Sequence, residues 1–275
     1  PPTRPIVLSG SGAIDTNGQS VTVSGVISGG SFTLLGGGSV FLATGNTYTG
    51  ATAVQGGTLL NIADNTSLGN TTAGMSLSSS TLQAGGTVSL PMTYAVTLSG
   101  SNTFDTNGHA LTMAGPLTGS GSFTKVGSGS LILSGTMNNY TGATTIAAGT
   151  LQIASDASLG NSSSLNLSGG TLQAGGNFSS SRPVHLVVPS TIDPNGNTFT
   201  LSGNITGTGP LTAGTVSGGT LVLSGSNSYS GATIVANGTL QLGSSSALPP
   251  STDVTISSGA TLNLNGFNNT ISQLQ

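Results

Sequence analysis

The chain has 275 residues, of which three are basic and six are acidic, giving a net charge of −3. So few cations cannot form the basic surface that gains affinity from counterion release at phosphates, and nucleic acid is therefore excluded as a partner. The chain has no cysteine, which excludes disulfides, thiolate metal sites and cysteine nucleophiles.

A sequence repeat of about ninety residues occurs in three copies along the chain. Asp15 begins an Asp-Thr-Asn-Gly phrase that recurs at Asp105 and, as Asp-Pro-Asn-Gly, at Asp193. Residues 81–83, Thr-Leu-Gln, recur at residues 171–173 in the same phase. Repeats of this kind are structural units stacked in a line, each burying its apolar face against its neighbours.

Within each repeat, apolar and polar residues alternate, which predicts short half-buried strands. In chain order, the clearest examples are residues 96–98, 131–133, 165–167, 221–223, 254–256 and 262–264. Gly, Ser and Asn separate these runs and supply turns. No stretch has the apolar spacing of an amphipathic helix, and the helix formers Glu, Lys and Arg are nearly missing.

Two architectures accommodate many short strands, namely an antiparallel sandwich or barrel and a parallel β-solenoid. A sandwich is a closed domain of roughly 100 residues with a polar linker between copies, whereas residues 91–94 join the first two copies without one. We therefore predict one all-β parallel solenoid over residues 1–275, with super-repeats at approximately 5–94, 95–183 and 184–275. Each super-repeat has room for about four coils, or about twelve in total.

A longer motif occupies the middle of each super-repeat. In the second copy it runs from Gly119 to Gly135 and continues through Asn-Asn-Tyr-Thr-Gly at residues 138–142. The third copy matches from residue 218 to residue 240, and the first is weaker, with Leu35 at the position of Lys125. This motif resembles the autotransporter-associated β-strand repeat, also called the passenger-associated transport repeat.

The resemblance implies a right-handed parallel β-helix in the passenger region of a bacterial type V autotransporter, located outside the cell or at its surface. It implies a stiff stalk that supports adhesion or self-association, and it brings no catalytic residues. The signature positions, which we expect to be structural, are Lys125, Asn46, Tyr48, Gly50, Asn138, Tyr140, Gly142, Asn227, Tyr229 and Gly231.

We expect the partners to be the rest of a longer passenger chain or identical subunits stacked end to end, together with a ligand on a host or neighbouring cell. No apolar run approaches the roughly 18 to 20 residues of a membrane helix, so we expect no membrane insertion of this segment. The N-terminal residues 1–5 also lack the pattern of a signal peptide. A self-assembling extracellular filament remains an alternative function.

A β-helical protein that binds or degrades polysaccharide is a further alternative, and an enzyme would need paired carboxylates. Asp15, Asp105 and Asp193 are predicted to lie about 19 Å apart along the axis, whereas glycosidase carboxylates stand about 5 to 9.5 Å apart. Each of these phrases is typical of an Asx turn. We therefore expect turn-forming roles for the three aspartates and no enzymatic activity.

Metal and cofactor sites are also not expected. His109 and His185 are the two histidines, and without cysteine they make a zinc site improbable. The Gly-Gly-x-Gly-x-Asp nonapeptide of calcium-binding β-rolls does not occur. The recurrent tyrosines could stack on sugars, but packing of each ring over a nearby turn glycine is the interpretation that we favour.

Overall fold

The structure, a computed structural model, describes residues 4–70, 72–162, 164–215 and 218–275. Residues 1–3 of the predicted solenoid, like residues 71, 163, 216 and 217, lie outside the described residues. Of the described residues, those up to 142 together with 157–162 form one compact unit, called unit 1, and the remainder form unit 2.

Unit 1 is built from short strands joined by tight turns, because apolar residues at alternate positions are separated by Gly, Ser and Asn. In chain order its strands are β1 (Ile6–Asp15), β2 (Ser20–Val23), β3 (Ile27–Leu35), β4 (Ser39–Leu42), β5 (Thr47–Tyr48), β6 (Thr52–Gln55), β7 (Leu59–Ile62), β8 (Met75–Ser78), β9 (Thr81–Ala84), β10 (Val88–Leu90), β11 (Val96–Ser99), β12 (Ser101–Asp105), β13 (Ala110–Met113), β14 (Leu117–Gly119), β15 (Ser122–Val126) and β16 (Ser130–Leu133). They stack in the orders β1-β3-β6-β8-β11-β14, with β5 beside β3, then β2-β4-β7-β9-β12-β15, and β10-β13-β16.

Unit 2 repeats the same construction. Its strands are β17 (Thr144–Ile146), β18 (Thr150–Ile153), β19 (Leu165–Leu167), β20 (Thr171–Ala174), β21 (Phe178–Ser180), β22 (Val184–Leu186), β23 (Ser190–Asp193), β24 (Thr198–Leu201), β25 (Ile205–Gly207), β26 (Leu211–Ala213), β27 (Thr220–Leu223), β28 (Thr233–Val235), β29 (Thr239–Leu242), β30 (Asp253–Ile256), β31 (Thr261–Asn263) and β32 (Gln273–Leu274). The stacking orders are β17-β19-β22-β25, β18-β20-β23-β26-β28-β30-β32 and β21-β24-β27-β29-β31. Two 3₁₀ turns, Asn65–Leu68 and Asp156–Leu159, complete the elements.

Neighbouring strands pair in parallel, and one coil takes about twenty residues. The number of residues per coil varies. It is small where Ser20 pairs with Ser39 and larger where Thr52 pairs with Met75. The predicted all-β parallel solenoid is therefore confirmed, with about 13 turns rather than twelve.

The core of each unit consists of columns of stacked side chains. In unit 1, Val40, Leu60, Leu82 and Phe104 pair in succession and are each fully buried. The alternation of apolar residues sets this arrangement, because every second side chain of a strand points to the same face. Burying one such side chain contributes about 1.5–3 kcal/mol, so stability comes from the core and the backbone ladder rather than from surface charges.

Repeat signature and candidate interaction surface

The signature asparagines join three successive coils. Asn46 Oδ1 accepts a hydrogen bond from the backbone N–H of Ile27 at 2.8 Å, one coil earlier. Its Nδ2 donates to the carbonyl of Ser67 at 2.8 Å, one coil later, and to that of Ala43 at 3.0 Å. Both ends of the amide are thus used within the protein, which leaves Asn46 little capacity to bind a ligand.

The other two copies reproduce this bridge. In unit 1, Asn138 Oδ1 accepts from Leu117 N at 2.7 Å and its Nδ2 donates to Ser158 O at 2.7 Å. In unit 2, the Asn227 side chain makes the corresponding bonds to Ile205 N and Ala247 O, also at 2.7 Å. The recurrent asparagine therefore links coils, and it is at most 9% exposed in all three copies.

The signature tyrosines are interior residues. Tyr48, Tyr140 and Tyr229 are each 0% exposed. The Tyr48 hydroxyl lies 2.7 Å from Thr52 Oγ1, and the Tyr229 hydroxyl lies 2.6 Å from Thr233 Oγ1. Because no ring face is exposed, these tyrosines offer no platform on which a sugar could stack.

A turn glycine lies directly against two of the tyrosine rings. A Cβ built on Gly69 would lie 2.9 Å from Cδ1 of Tyr48, and one on Gly160 would lie 2.9 Å from Cδ1 of Tyr140. Both distances are below ordinary van der Waals contact. The carbonyl oxygen of the same tyrosine is at least as close, and both glycines have φ near 60°, so the ring, the backbone and the turn geometry together require glycine after each Ser-Leu.

The signature glycines mark places where one coil approaches the next too closely for a side chain. A Cβ on Gly50 would collide with Ser31, one on Gly142 with the backbone of Gly121, and one on Gly231 with the backbone of Gly209 and Pro210. None of the three has a positive φ, so close approach rather than turn geometry requires glycine here.

We predict that Gly231→Ala lowers the free energy of unfolding by about 1–3 kcal/mol or more, because the backbone of the preceding coil must move to admit the methyl group. Gly176→Ala is the matched control in the same unit, since its new Cβ would meet only the carbonyl oxygen of Ala154, at 3.5 Å. Denaturant unfolding followed by circular dichroism measures both variants. Equal stability of the two variants would contradict the prediction.

The recurrent aspartates stabilise turns. Asp15, Asp105 and Asp193 each accept, through Oδ1, a hydrogen bond from the backbone N–H two residues later at 2.8–3.0 Å. That residue is an asparagine with φ of 44° to 50° in every copy, a conformation that Asn tolerates better than most residues. The three phrases therefore form Asx turns in the structure.

Two of these aspartates also end ladders of side-chain amides. In unit 1, Asn61 Nδ2 donates to Gln83 Oε1 at 2.7 Å, and Gln83 Nε2 donates to Asp105 Oδ2 at 2.8 Å. In unit 2, Asp193 Oδ2 accepts from Gln173 Nε2 at 3.0 Å. The ladders satisfy polar groups between neighbouring coils. Their glutamines are the third residues of the recurring Thr-Leu-Gln, which was the signal for them in the sequence.

Lys125 continues a buried apolar column. It pairs with Phe104 and is 0% exposed, and its Nζ donates to the carbonyl oxygens of Val126 and Gly127, each at 2.8 Å. Burial lowers the pKa of Lys125 to about 8, and the nearby Asp105 carboxylate opposes this shift.

The first copy has an apolar residue at the same place, although not the one predicted. In both copies the Asp of the turn pairs with the residue after this position, which is Leu35 in the first copy and Val126 in the second. Leu34, which is fully buried, therefore corresponds to Lys125, and the prediction of Leu35 is wrong by one residue.

We predict that the free energy of unfolding rises by about 1–2 kcal/mol between pH 8 and pH 9.5, before the tyrosines of the unfolded chain ionise, and that Lys125→Met abolishes the rise. The unfolded chain keeps this lysine protonated to about pH 10.5, whereas the folded protein releases the proton near pH 8. The unfolded state thus binds more protons in this window, and raising the pH favours the folded state. Denaturant midpoints across this range measure the effect, and a flat wild-type profile would contradict it.

The remaining titratable groups do not converge. Among the described residues, no group of three or more His, Asp or Glu side chains could hold a metal ion. Arg182 Nε and Asp156 Oδ1 form an ion pair at 2.8 Å in unit 2. His185 Nδ1 lies 3.1 Å from Thr206 Oγ1 on the exposed face of its strand. In the part of the chain that the structure describes, no helix is long and apolar enough to span a membrane.

The comparisons with known proteins agree with this geometry. The family model for the passenger-associated transport repeat matches residues 32–60, 123–153 and 216–242. The chain contains three passenger-associated transport repeats. Each match includes a signature Asn-x-Tyr-x-Gly and the strand that precedes it, so the repeats coincide with the places where asparagine, tyrosine and glycine hold successive coils together.

A relative named "Adhesin BmaC autotransporter", from Brucella suis biovar 1 (strain 1330), is 36% identical over 116 residues. The aligned region covers 42% of this chain and 3% of the relative, so the chain corresponds to a small part of that protein. No solved structure is significantly similar to the chain. The repeats and the relative together support an autotransporter passenger segment.

Proposed function

We propose that the chain is a non-enzymatic part of an autotransporter passenger, exposed outside a bacterial cell, where it serves as a stalk and as a contact surface for other cells. The observation that supports this most is that the asparagines of the repeat signature bind neighbouring coils to one another. Asn46, Asn138 and Asn227 are occupied by bonds between coils, so the repeated motif builds a scaffold rather than a reactive site. The name of the relative, an adhesin, supports the contact role.

The physical chemistry of the chain suits a stalk. Parallel coils satisfy one another's backbone groups, and each added coil extends the same core. The recurrent aspartates are engaged in turns and ladders, which favours a structural role for them over acid and base catalysis. With so few charged residues, the fold depends little on ion pairs and is expected to be insensitive to salt.

Surface display tests this proposal. The segment is inserted between a secretion signal and the membrane barrel of a characterised autotransporter, and protease accessibility on intact cells reports its exposure. We expect the displaying bacteria to attach to cultured host cells or to one another more than bacteria displaying the barrel alone. A segment that is displayed and folded but gives no added attachment would refute the contact role while leaving the stalk role intact.

End-to-end assembly is a second candidate function, favoured by exposed apolar side chains in β1, in β32 and directly after β31. In unit 2, Leu264 is 52% and Leu274 is 59% exposed, and in unit 1 Val7 is 75% exposed. We propose that identical subunits or other coils of a longer passenger pack on these side chains, because uncovered strand edges and apolar surfaces promote association. Negative-stain microscopy over a concentration series distinguishes these cases: uniform filaments support assembly, and monodisperse particles at every concentration refute it.

A further inference from the structure

The third repeat differs from the other two at the turn that follows its tyrosine. In the first two copies, the backbone N–H of Asn70 and Asn161 donates to the carbonyl of the signature tyrosine, at 2.8 and 2.9 Å. The third copy has Pro249 and Pro250 where the others have Gly-Asn. Because proline has no N–H, the corresponding bond to the carbonyl of Tyr229 cannot form in unit 2.

The side chains that close this region in the first copy are also changed. There, Asp64 Oδ1 accepts from both the N–H and the hydroxyl of Thr66, and Thr66 Oγ1 accepts from Gly45 N at 2.8 Å. In the third copy Ser244 replaces the aspartate as the cap of Ser246. The third copy therefore has shorter, uncharged side chains at this turn.

A cavity of about 390 Å³ lies beside this turn in unit 2. Its wall is formed by three successive turns of the solenoid, at residues 226–227, 245–250 and 268–270. The volume lies within the about 300–1,000 Å³ of small-molecule sites. The cavity therefore has room for a compact ligand.

The chemistry of the wall indicates an uncharged, hydroxyl-rich ligand. No lysine, arginine, histidine, aspartate or glutamate is among the described residues that line the cavity. Ser226, Ser245 and Asn268 supply exposed hydroxyl and amide groups, while the exposed Pro250 supplies apolar surface and the buried Leu248 closes the floor. Hydroxyls and amides both donate and accept hydrogen bonds, and a charged ligand would be desolvated there without an opposite charge.

One polar atom beside the cavity lacks a partner. Asn269 Nδ2 donates to Ser245 O at 3.0 Å, whereas its Oδ1 is buried and has no hydrogen-bond partner among the described residues. An unsatisfied buried acceptor costs about 1–3 kcal/mol. Rotation of the Asn269 side chain toward the cavity would let a ligand hydroxyl donate to this oxygen and reduce that cost.

We propose that this cavity binds a neutral pyranose unit of an extracellular glycan. The sugar hydroxyls exchange hydrogen bonds with the serine and asparagine side chains, and an apolar face of the ring packs on Pro250. The inference rests on the contact role proposed above and names its ligand class.

Binding to an immobilised panel of neutral and acidic glycans tests the proposal. The wild-type chain is expected to bind one or more neutral glycans, and Ser245→Tyr, which fills the cavity, is expected to weaken that binding at least tenfold. Asn65→Tyr is the matched control, because Asn65 is the exposed residue at the same position of the first copy, and it should change binding less than twofold. Circular dichroism verifies folding, and Ser226→Leu provides a second blocking variant from a different turn.

Binding to acidic glycans alone, binding to none, or binding that survives both blocking variants would overturn the site. The surface-display assay tests the proposed contact role independently of the glycan-binding site. Bacteria that attach through the segment while the purified chain binds no neutral glycan would retain the contact role and lose the site. If the purified chain binds a neutral glycan, Ser245→Tyr weakens that binding, and displaying bacteria do not attach, the site is retained and the contact role is lost.

Discussion

Asn138→Ala is expected to lower the free energy of unfolding by about 2–6 kcal/mol. The side chain is buried, and its removal deletes the hydrogen bonds that it makes to Leu117 N–H in one coil and to Ser158 C=O in another. Loss of each such bond to a buried group costs about 1–3 kcal/mol, and the cavity left by the amide adds to this. Chemical denaturation at neutral pH, followed by circular dichroism, measures the change.

Two further variants distinguish the loss of the Asn138 hydrogen bonds from a general effect of substitution on stability. Asn139→Ala, at the exposed neighbouring residue, should change stability by no more than about 0.5 kcal/mol. Asn138→Asp keeps the shape and still accepts from Leu117 N, but as a carboxylate it cannot donate to Ser158 O. We therefore expect it to be as costly as alanine at neutral pH and less costly in acid, where the carboxyl regains a donor. If Asn138→Ala were no more harmful than Asn139→Ala, the bridge would not stabilise the fold.

The fold could be predicted because its signals are local. Alternation of apolar and polar residues indicates strands from a few neighbouring positions, as at residues 131–133, and the phase of the ninety-residue repeat indicates stacking. The role of Asn46 could not be predicted in the same way. Its partners, Ile27 and Ser67, belong to other coils, and only the register of the ladder brings them together.

The register between strands also explains why some bridging and buried residues could not be recognised from the sequence. Asn102 bridges Ser80 N and Ser122 O as the signature asparagines bridge their own coils, yet it belongs to no recurrent phrase. The burial of Lys125 follows from its pairing with Phe104, a relation between residues one coil apart. Coil lengths vary by several residues, so a shift of one residue moves a side chain to the other face of the strand, and spacing alone does not fix such positions.

Raising the pH from 10 to 12 is expected to remove about 2–3 kcal/mol of stability for each of Tyr48 and Tyr229. Burial raises the pKa of each of these hydroxyls from 10.0 to about 12, against a smaller opposite effect of the hydrogen bond to threonine. Burial also raises the pKa of Tyr94. Above pH 10 the unfolded chain loses tyrosine protons that the folded protein retains, so the folded state is progressively disfavoured.

The readout is unusually direct, because all four tyrosines of the chain are buried. Ultraviolet absorbance of tyrosinate should stay low until the protein unfolds, and should then rise together with the loss of the strand signal in circular dichroism. Tyr229→Phe is the informative variant, since Thr233 Oγ1 keeps Thr252 Oγ1 as a partner at 3.0 Å. It should cost about 1 kcal/mol at neutral pH and weaken the alkaline loss in unit 2. Tyrosinate absorbance that appears near pH 10 while the strand signal is intact would show that the hydroxyls are accessible, and would contradict the buried packing on which the repeat depends.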